Sequence, residues 1–96
     1  MPHLIVAPRA RADLRRVAEF LRNKNPRAAE RATQTIRRDV ALLITAPALG
    51  RPVDDSGLRE LIVSFSEGGY VVLYRYDPDV DAIVIMAIRH QREAGY

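Results

Sequence analysis

Gly50 to Arg92 reads GRPVDDSGLRELIVSFSEGGYVVLYRYDPDVDAIVIMAIRHQR, and this stretch decides the fold. Leu58 to Phe65 alternates as a strand does, with Arg59, Leu61, Val63 and Phe65 on one face and Leu58, Glu60, Ile62 and Ser64 on the other. Ser66-Glu67-Gly68-Gly69 then predicts a hairpin turn, because glycine reaches the positive φ such turns need. Tyr70 to Tyr76 returns antiparallel, with Val71, Leu73 and Arg75 opposite the face of Tyr70, Val72, Tyr74 and Tyr76. Asp77-Pro78-Asp79 turns the chain again. Ala82 to Ile88 is apolar throughout, the pattern of a central strand covered on both faces, and Arg89-His90-Gln91-Arg92 leaves it polar.

Upstream, the pattern supplies what such a sheet lacks. His3-Leu4-Ile5-Val6 predicts a short first strand ended by Ala7-Pro8. Pro8 suits the first turn of a helix, where its missing N–H costs nothing. Ala10, Leu14, Val17, Ala18 and Leu21 recur at helical spacing, with Arg9, Arg11, Asp13, Arg15, Arg16, Glu19 and Arg22 between them. Asn23-Lys24-Asn25-Pro26 breaks this helix, and Asn25 caps a second one that the pattern carries to about Ala46, before Pro47. The apolar side of that second helix is Ala29, Ala32, Ile36, Val40 and Leu43. A short connection favours an antiparallel helical hairpin. Pro47 to Gly57 reads as a loop, and Glu93 to Tyr96 as a loose tail.

The expectation is one α+β domain over residues 1–96: an N-terminal strand, a two-helix hairpin, then a three-stranded antiparallel sheet, in the order β-α-α-β-β-β. Ninety-six residues make a single core and no more. Without cysteine, disulfides and thiolate chemistry are excluded, and two histidines argue against a structural zinc site. No window is apolar enough for a membrane span and MPHLIV has no leader pattern, so the expected location is cytoplasmic. The net charge of +3 hides an asymmetry: residues 1–50 carry net +6, and residues 51–96 net −3. Of the fifteen cations only Lys24 is lysine, which codon usage explains as readily as a basic helical face awaiting an acidic partner.

Four segments carry a family likeness: Pro8-Arg9-Ala10 with Asp13-Leu14; Asn25-Pro26 with Ala28-Ala29; Pro47 to Pro52 leading to Leu58-Arg59-Glu60-Leu61; and Tyr70 to Arg75 leading to Ile88 to Arg92. In this order they resemble the ParE/RelE superfamily of toxins from bacterial type II toxin–antitoxin pairs. The ParE-like branch is resembled most, through Gly50-Arg51-Pro52, Arg59-Glu60-Leu61 and Tyr70-Val71-Val72-Leu73-Tyr74. That likeness implies a toxin that poisons DNA gyrase without a cofactor or metal, the alternative being the RelE-like activity, cleavage of messenger RNA in the ribosome. It also implies a cognate antitoxin with an acidic, partly disordered tail that folds on binding. Arg9, Arg16, Arg31, Arg37 and Arg38 on the helical hairpin are the expected exposed contacts.

RNA cleavage must deprotonate a 2′-hydroxyl, stabilise a crowded phosphorane and protonate a leaving oxygen, so it needs clustered cations and a proton shuttle. Arg59, Arg75, Arg89 and His90 are the candidates, with Tyr74 or Tyr96 for a hydroxyl. The strands that carry them lack lysine, which RelE-like sites commonly use. Each candidate also has a plainer reading. Arg59 can anchor the loop through Asp54 or Asp55, Arg75 can pair with Asp77 or Asp79, and His90 can be a hydrogen-bonded strand end. Alternating Tyr70, Tyr74 and Tyr76 read first as packing. Asp54-Asp55 and Asp77, Asp79 and Asp81 lack calcium-loop spacing and read as turns. The sequence therefore favours docking over catalysis, with Arg59, Arg75, Arg89, His90 and Arg92 as target contacts at one end of the sheet.

Overall fold

The computed structural model describes residues 1–65 and 68–92; Ser66, Glu67 and the Glu93–Tyr96 tail lie outside the described residues, and with them the first half of the expected hairpin turn. Strand β1 (His3–Val6) leads into α1 (Pro8–Arg22) and α2 (Pro26–Ala41), followed by β2 (Arg51–Pro52), β3 (Arg59–Phe65), β4 (Gly68–Asp77) and β5 (Ala82–His90). The five strands form one sheet in the order β1-β5-β4-β3-β2. Beyond the expected three-stranded antiparallel unit, β1 pairs parallel with β5, and the two-residue β2 pairs with the start of β3. The sheet is therefore mixed, and the class remains α+β.

Local chemistry sets the helix ends. Pro8 and Pro26 each open a helix, and Asn25 Oδ1 accepts the N–H groups of Arg27 at 3.1 Å and Ala28 at 3.4 Å. The second helix is shorter than its apolar pattern predicts. Leu42–Ile44 tightens into a 3-10 turn, with the Ala46 N–H bonded to the Leu42 carbonyl at 3.0 Å, and Pro47 bars Ala46 from continuing.

The helices cover one face of the sheet, α1 on β5 and α2 on β3. The core joins Ala10, Val17, Ala32, Ile36 and Val40 from the helices to Leu61, Val63, Val72, Tyr74, Ile83, Ile85 and Ile88 from the strands. On β3 and β4 the faces fall as the alternation predicts. Strand β5 hides a shift: Leu73 pairs with Ala87 but Tyr74 with Ile85, leaving Met86 as the extra residue of a bulge. Ile83 and Ile85 face the core before it, Ile88 and His90 after it. The strand also continues through Arg89 and His90 rather than ending at Ile88.

Candidate functional site

The candidate cations divide between two ends and two faces of the sheet. Antiparallel pairing sets Arg59 beside Tyr74 at one end of β4, and His90 beside Tyr70 at the other. Four residues of strand separate those two levels, about 13 Å at roughly 3.3 Å per residue. Both side chains share the helix-covered face. Arg75 lies across from Val84 and Arg89 across from Val71, both on the face that carries no helix among the described residues. The four predicted residues thus form no single cluster, which corrects the expectation of one cationic end. The end of β3 to which Arg59 belongs adjoins the end of β4 that holds Arg75, and antiparallel geometry sends the end of β5 with Arg89 and His90 the other way.

Each candidate also has a partner. The guanidinium of Arg59 donates to the Gly50 carbonyl at 2.7 Å and the Ala48 carbonyl at 3.4 Å. It anchors the loop through backbone oxygens rather than through Asp54 or Asp55. Asp54 instead accepts the Ser56 N–H at 2.7 Å, and the Ser56 hydrogen bonds hold its carboxyl below the usual value. Tyr74 secures the same loop: its hydroxyl accepts the Gly50 N–H at 2.8 Å and donates to the Pro47 carbonyl at 2.8 Å. Tyr74 is fully buried, and burial raises its pKa against the opposing effects of the Gly50 hydrogen bond and the Arg59 charge. The residue that could serve as a catalytic hydroxyl is a loop clasp. Tyr96, the other candidate, lies outside the described residues.

On the open face, Glu60 gathers two arginines. It accepts from Arg51 at 3.2 Å and sits 3.9 Å from Arg89, whose guanidinium also donates to the His90 carbonyl at 3.1 Å. Arg75 pairs with Asp77 at 3.3 Å. Asp77 also accepts the Asp79 N–H at 3.0 Å, and Asp81, at φ 48°, accepts the Tyr76 hydroxyl at 2.8 Å. That hydrogen bond is the main cause of the raised Tyr76 pKa. The aspartates read as turns in the sequence do shape this turn.

At the opposite end, His90 meets Tyr70 edge to face, with ring centroids 5.5 Å apart, and its Nδ1 accepts the Arg92 N–H at 3.1 Å. Burial raises the Tyr70 pKa. Here α1 and the sheet leave a groove of about 610 Å³ over Val17, Leu21 and Tyr70. Phe20, absent from the apolar stripe read in the sequence, stands at its lip with 60% of its surface exposed. The signal was an aromatic residue lying between Val17 and Leu21 but off their line.

The hairpin cations expected to meet an antitoxin are all exposed. Arg9 and Arg16 flank Asp13 at 3.9 and 3.8 Å, and Arg38 lies 3.3 Å from Asp39. Asp13 also reaches the sheet, accepting the Ile88 N–H at 2.9 Å. Arg37 lines a second groove between the helices with Arg22, Glu30 and Gln34.

A two-helix hairpin laid on one face of a five-stranded sheet, with β1 joining parallel at the edge, is the architecture of the ParE/RelE toxin class. The family model described as ParE toxin of type II toxin-antitoxin system, parDE, matches residues 4–95. The chain belongs to this family of toxins. It is 42% identical to Toxin RelE3 of Caulobacter vibrioides over 93 residues, which covers 97% of this chain and 98% of the relative. Toxin RelE1 of the same organism is 33% identical over 72 residues, 75% of this chain and 76% of that one. Among solved structures, the chromosomal ParDE TA system from P. aeruginosa superposes with a TM-score of 0.77 at 25% identity, covering 94% of this chain and 96% of that chain. The RelBE2 toxin-antitoxin complex from Mycobacterium tuberculosis, at 22% identity and a TM-score of 0.60 over 95% of this chain and all of that one, shares the fold.

Proposed function

We propose that this toxin acts by binding, as a ParE-like poison of DNA gyrase, and that a cognate antitoxin neutralises it. The observation that carries this reading is the dispersal of the cations. Acid–base cleavage of RNA needs groups within hydrogen-bond reach of one phosphate and its 2′-hydroxyl. Arg59 and His90 instead stand about 13 Å apart along the sheet, with Arg75 and Arg89 on the other face. Their donors hold a loop, a strand end and two carboxylates. A docking surface tolerates that dispersal; a reaction centre does not.

The target contacts proposed are the outward-reaching Arg75 and Arg92 together with His90, while Arg59 and Arg89 hold the backbone and Glu60 that present them. The antitoxin contacts proposed are Arg9, Arg16, Arg31, Arg37 and Arg38, met by an acidic tail that folds on the hairpin. Each exposed pair contributes about 0–1 kcal/mol, so charge sets association rate more than affinity. Purified toxin is added to a gyrase supercoiling reaction, and translated message from induced cells is read by primer extension. Inhibited supercoiling with intact message supports the reading. Codon-phased cuts with unimpeded supercoiling would transfer the toxin to the RelE-like activity that the names of its Caulobacter relatives suggest.

A further inference from the structure

We propose that the outer face of the helical hairpin is a docking surface for duplex DNA, held through its phosphates and without base readout. The inference stands whichever target the toxin has, because it rests on the hairpin alone. The two helices carry the same arginine spacing. Arg11, Arg15, Ala18 and Arg22 on α1 stand at i, i+4, i+7 and i+11, and Arg27, Arg31, Gln34 and Arg38 repeat it on α2. That spacing lines each set along one side of its helix. Codon usage explains arginine in place of lysine, but not one interval kept on both helices. All six arginines are exposed, off the buried stripes of Ala10 and Val17 and of Ala32, Ile36 and Val40. Ala18 and Gln34, the third members, line the same groove between the helices, so the rows flank it from either side. Arg11 and Arg22 are about 16–17 Å apart along the helix axis, as are Arg27 and Arg38.

The chemistry of this face identifies the occupant. Among the described residues, Arg11, Arg15, Arg22, Arg27 and Arg31 have no carboxylate within ion-pair distance, and Arg38 pairs with Asp39 at 3.3 Å. Glu19 and Glu30 are the exposed acids of the hairpin, and Glu30 accepts a hydrogen bond from Gln34 at 3.5 Å. Ala18, Thr33 and Gln34 lie between the rows, and the exposed ring of the hairpin, Phe20, falls outside both. A protein interface draws most of its affinity from buried aromatic and apolar anchors, and a single strand draws it from stacking on rings. The phosphates of a duplex ask only for placed cations. Packed helices lie ~8–10 Å apart, between the ~6 Å width of the minor groove and the ~12 Å of the major. Each row runs beside about five phosphates of one strand. Arg31 and Arg38 are also proposed antitoxin contacts, whereas Arg11, Arg15, Arg22 and Arg27 serve neither the core nor the antitoxin.

The test titrates the full-length protein into a short fluorescent DNA duplex of mixed sequence and reads anisotropy from low to high salt. Six phosphate contacts give an expected slope of log affinity against log salt of about −5. Arg15→Gln should reduce that slope by about 1, while Arg51→Gln, equal in charge but on β2, should leave it unchanged. Arg11→Gln, Arg15→Gln, Arg22→Gln and Arg27→Gln together should weaken binding at low salt at least about tenfold. These side chains are exposed, so circular dichroism melts should fall no lower than the parent's and separate lost docking from lost folding. Duplexes of unrelated sequence should bind alike. An affinity indifferent to the four substitutions, or lowered as much by Arg51→Gln as by Arg15→Gln, would overturn the proposal. So would double-stranded RNA or a polyglutamate peptide that binds more tightly than the DNA with the same dependence on the rows.

Discussion

Replacing Tyr74 with Phe removes one oxygen atom and unfastens a loop. The hydroxyl bonds at 2.8 Å to both the buried Gly50 N–H and the partly buried Pro47 carbonyl. Water can reach the carbonyl after the substitution, so losing that bond costs about 0.5–1.5 kcal/mol. The Gly50 N–H has no such recourse, and stranding a buried donor costs about 1–3 kcal/mol. Tyr74→Phe should therefore destabilise the protein by about 1.5–4.5 kcal/mol, a large share of the ~5–15 kcal/mol that holds a domain of this size. At about 4–8 °C per kcal/mol, the melting temperature falls by at least about 6 °C.

Urea denaturation measures the loss directly, as a lower midpoint with an unchanged slope. Hydrogen exchange adds the address, since the Gly50 amide should lose protection before its neighbours in β3. Arg59→Met should couple to Tyr74→Phe in a double-mutant cycle, because Tyr74 holds the Gly50 N–H and Arg59 the Gly50 carbonyl. A destabilisation below about 0.5 kcal/mol, with Gly50 still protected, would refute the clasp. So would a variant as stable as the parent that has lost toxicity, since that result returns the hydroxyl to chemistry.

Three further outcomes follow from the same geometry. Gly50→Ala would set a Cβ 2.6 Å from Tyr74 Cε1 and 2.7 Å from the Glu60 carbonyl oxygen, so thermal denaturation should show a loss of about 1–3 kcal/mol or more. Asp13→Asn keeps an acceptor for the Ile88 N–H and should cost only the two long ion pairs, about 0–1 kcal/mol, whereas Asp13→Ala strands that donor and should cost about 1–3 kcal/mol by urea titration. Burial raises the Tyr70 and Tyr74 pKa values above 10.0, so the folded protein retains protons that the unfolded chain has shed. The resulting stability is complete below pH about 10 and disappears as pH rises through the folded-state values, a fall that Tyr74→Phe should make shallower in melts taken across the alkaline range.

Much of this fold was legible because β3 and β4 obey a strict alternation: Leu61 and Val63 face inward with Val72 and Tyr74, as their spacing predicts. Strand β5 was legible as buried and no further, since the bulge at Met86 reverses its parity and an apolar residue is needed on both sides of the reversal. The parallel partner of β1 lies across most of the chain, and the two-residue β2 is too short to leave an alternation, so no local period records either. The site was obscured for a related reason. Arginine fits a cationic cluster and a backbone clasp equally well, and only the path of the Pro47–Pro52 loop reveals that Arg59 faces carbonyls. The division between the two sheet ends, by contrast, was already implied by three antiparallel strands: residues at the start of β3 and the end of β4 adjoin, and those at the end of β5 lie opposite. Carrying that topology through to the side chains turns one supposed cationic end into a structural clasp on one side. On the other it leaves a groove whose apolar lip, Phe20, the helical periodicity of α1 had no need to bury.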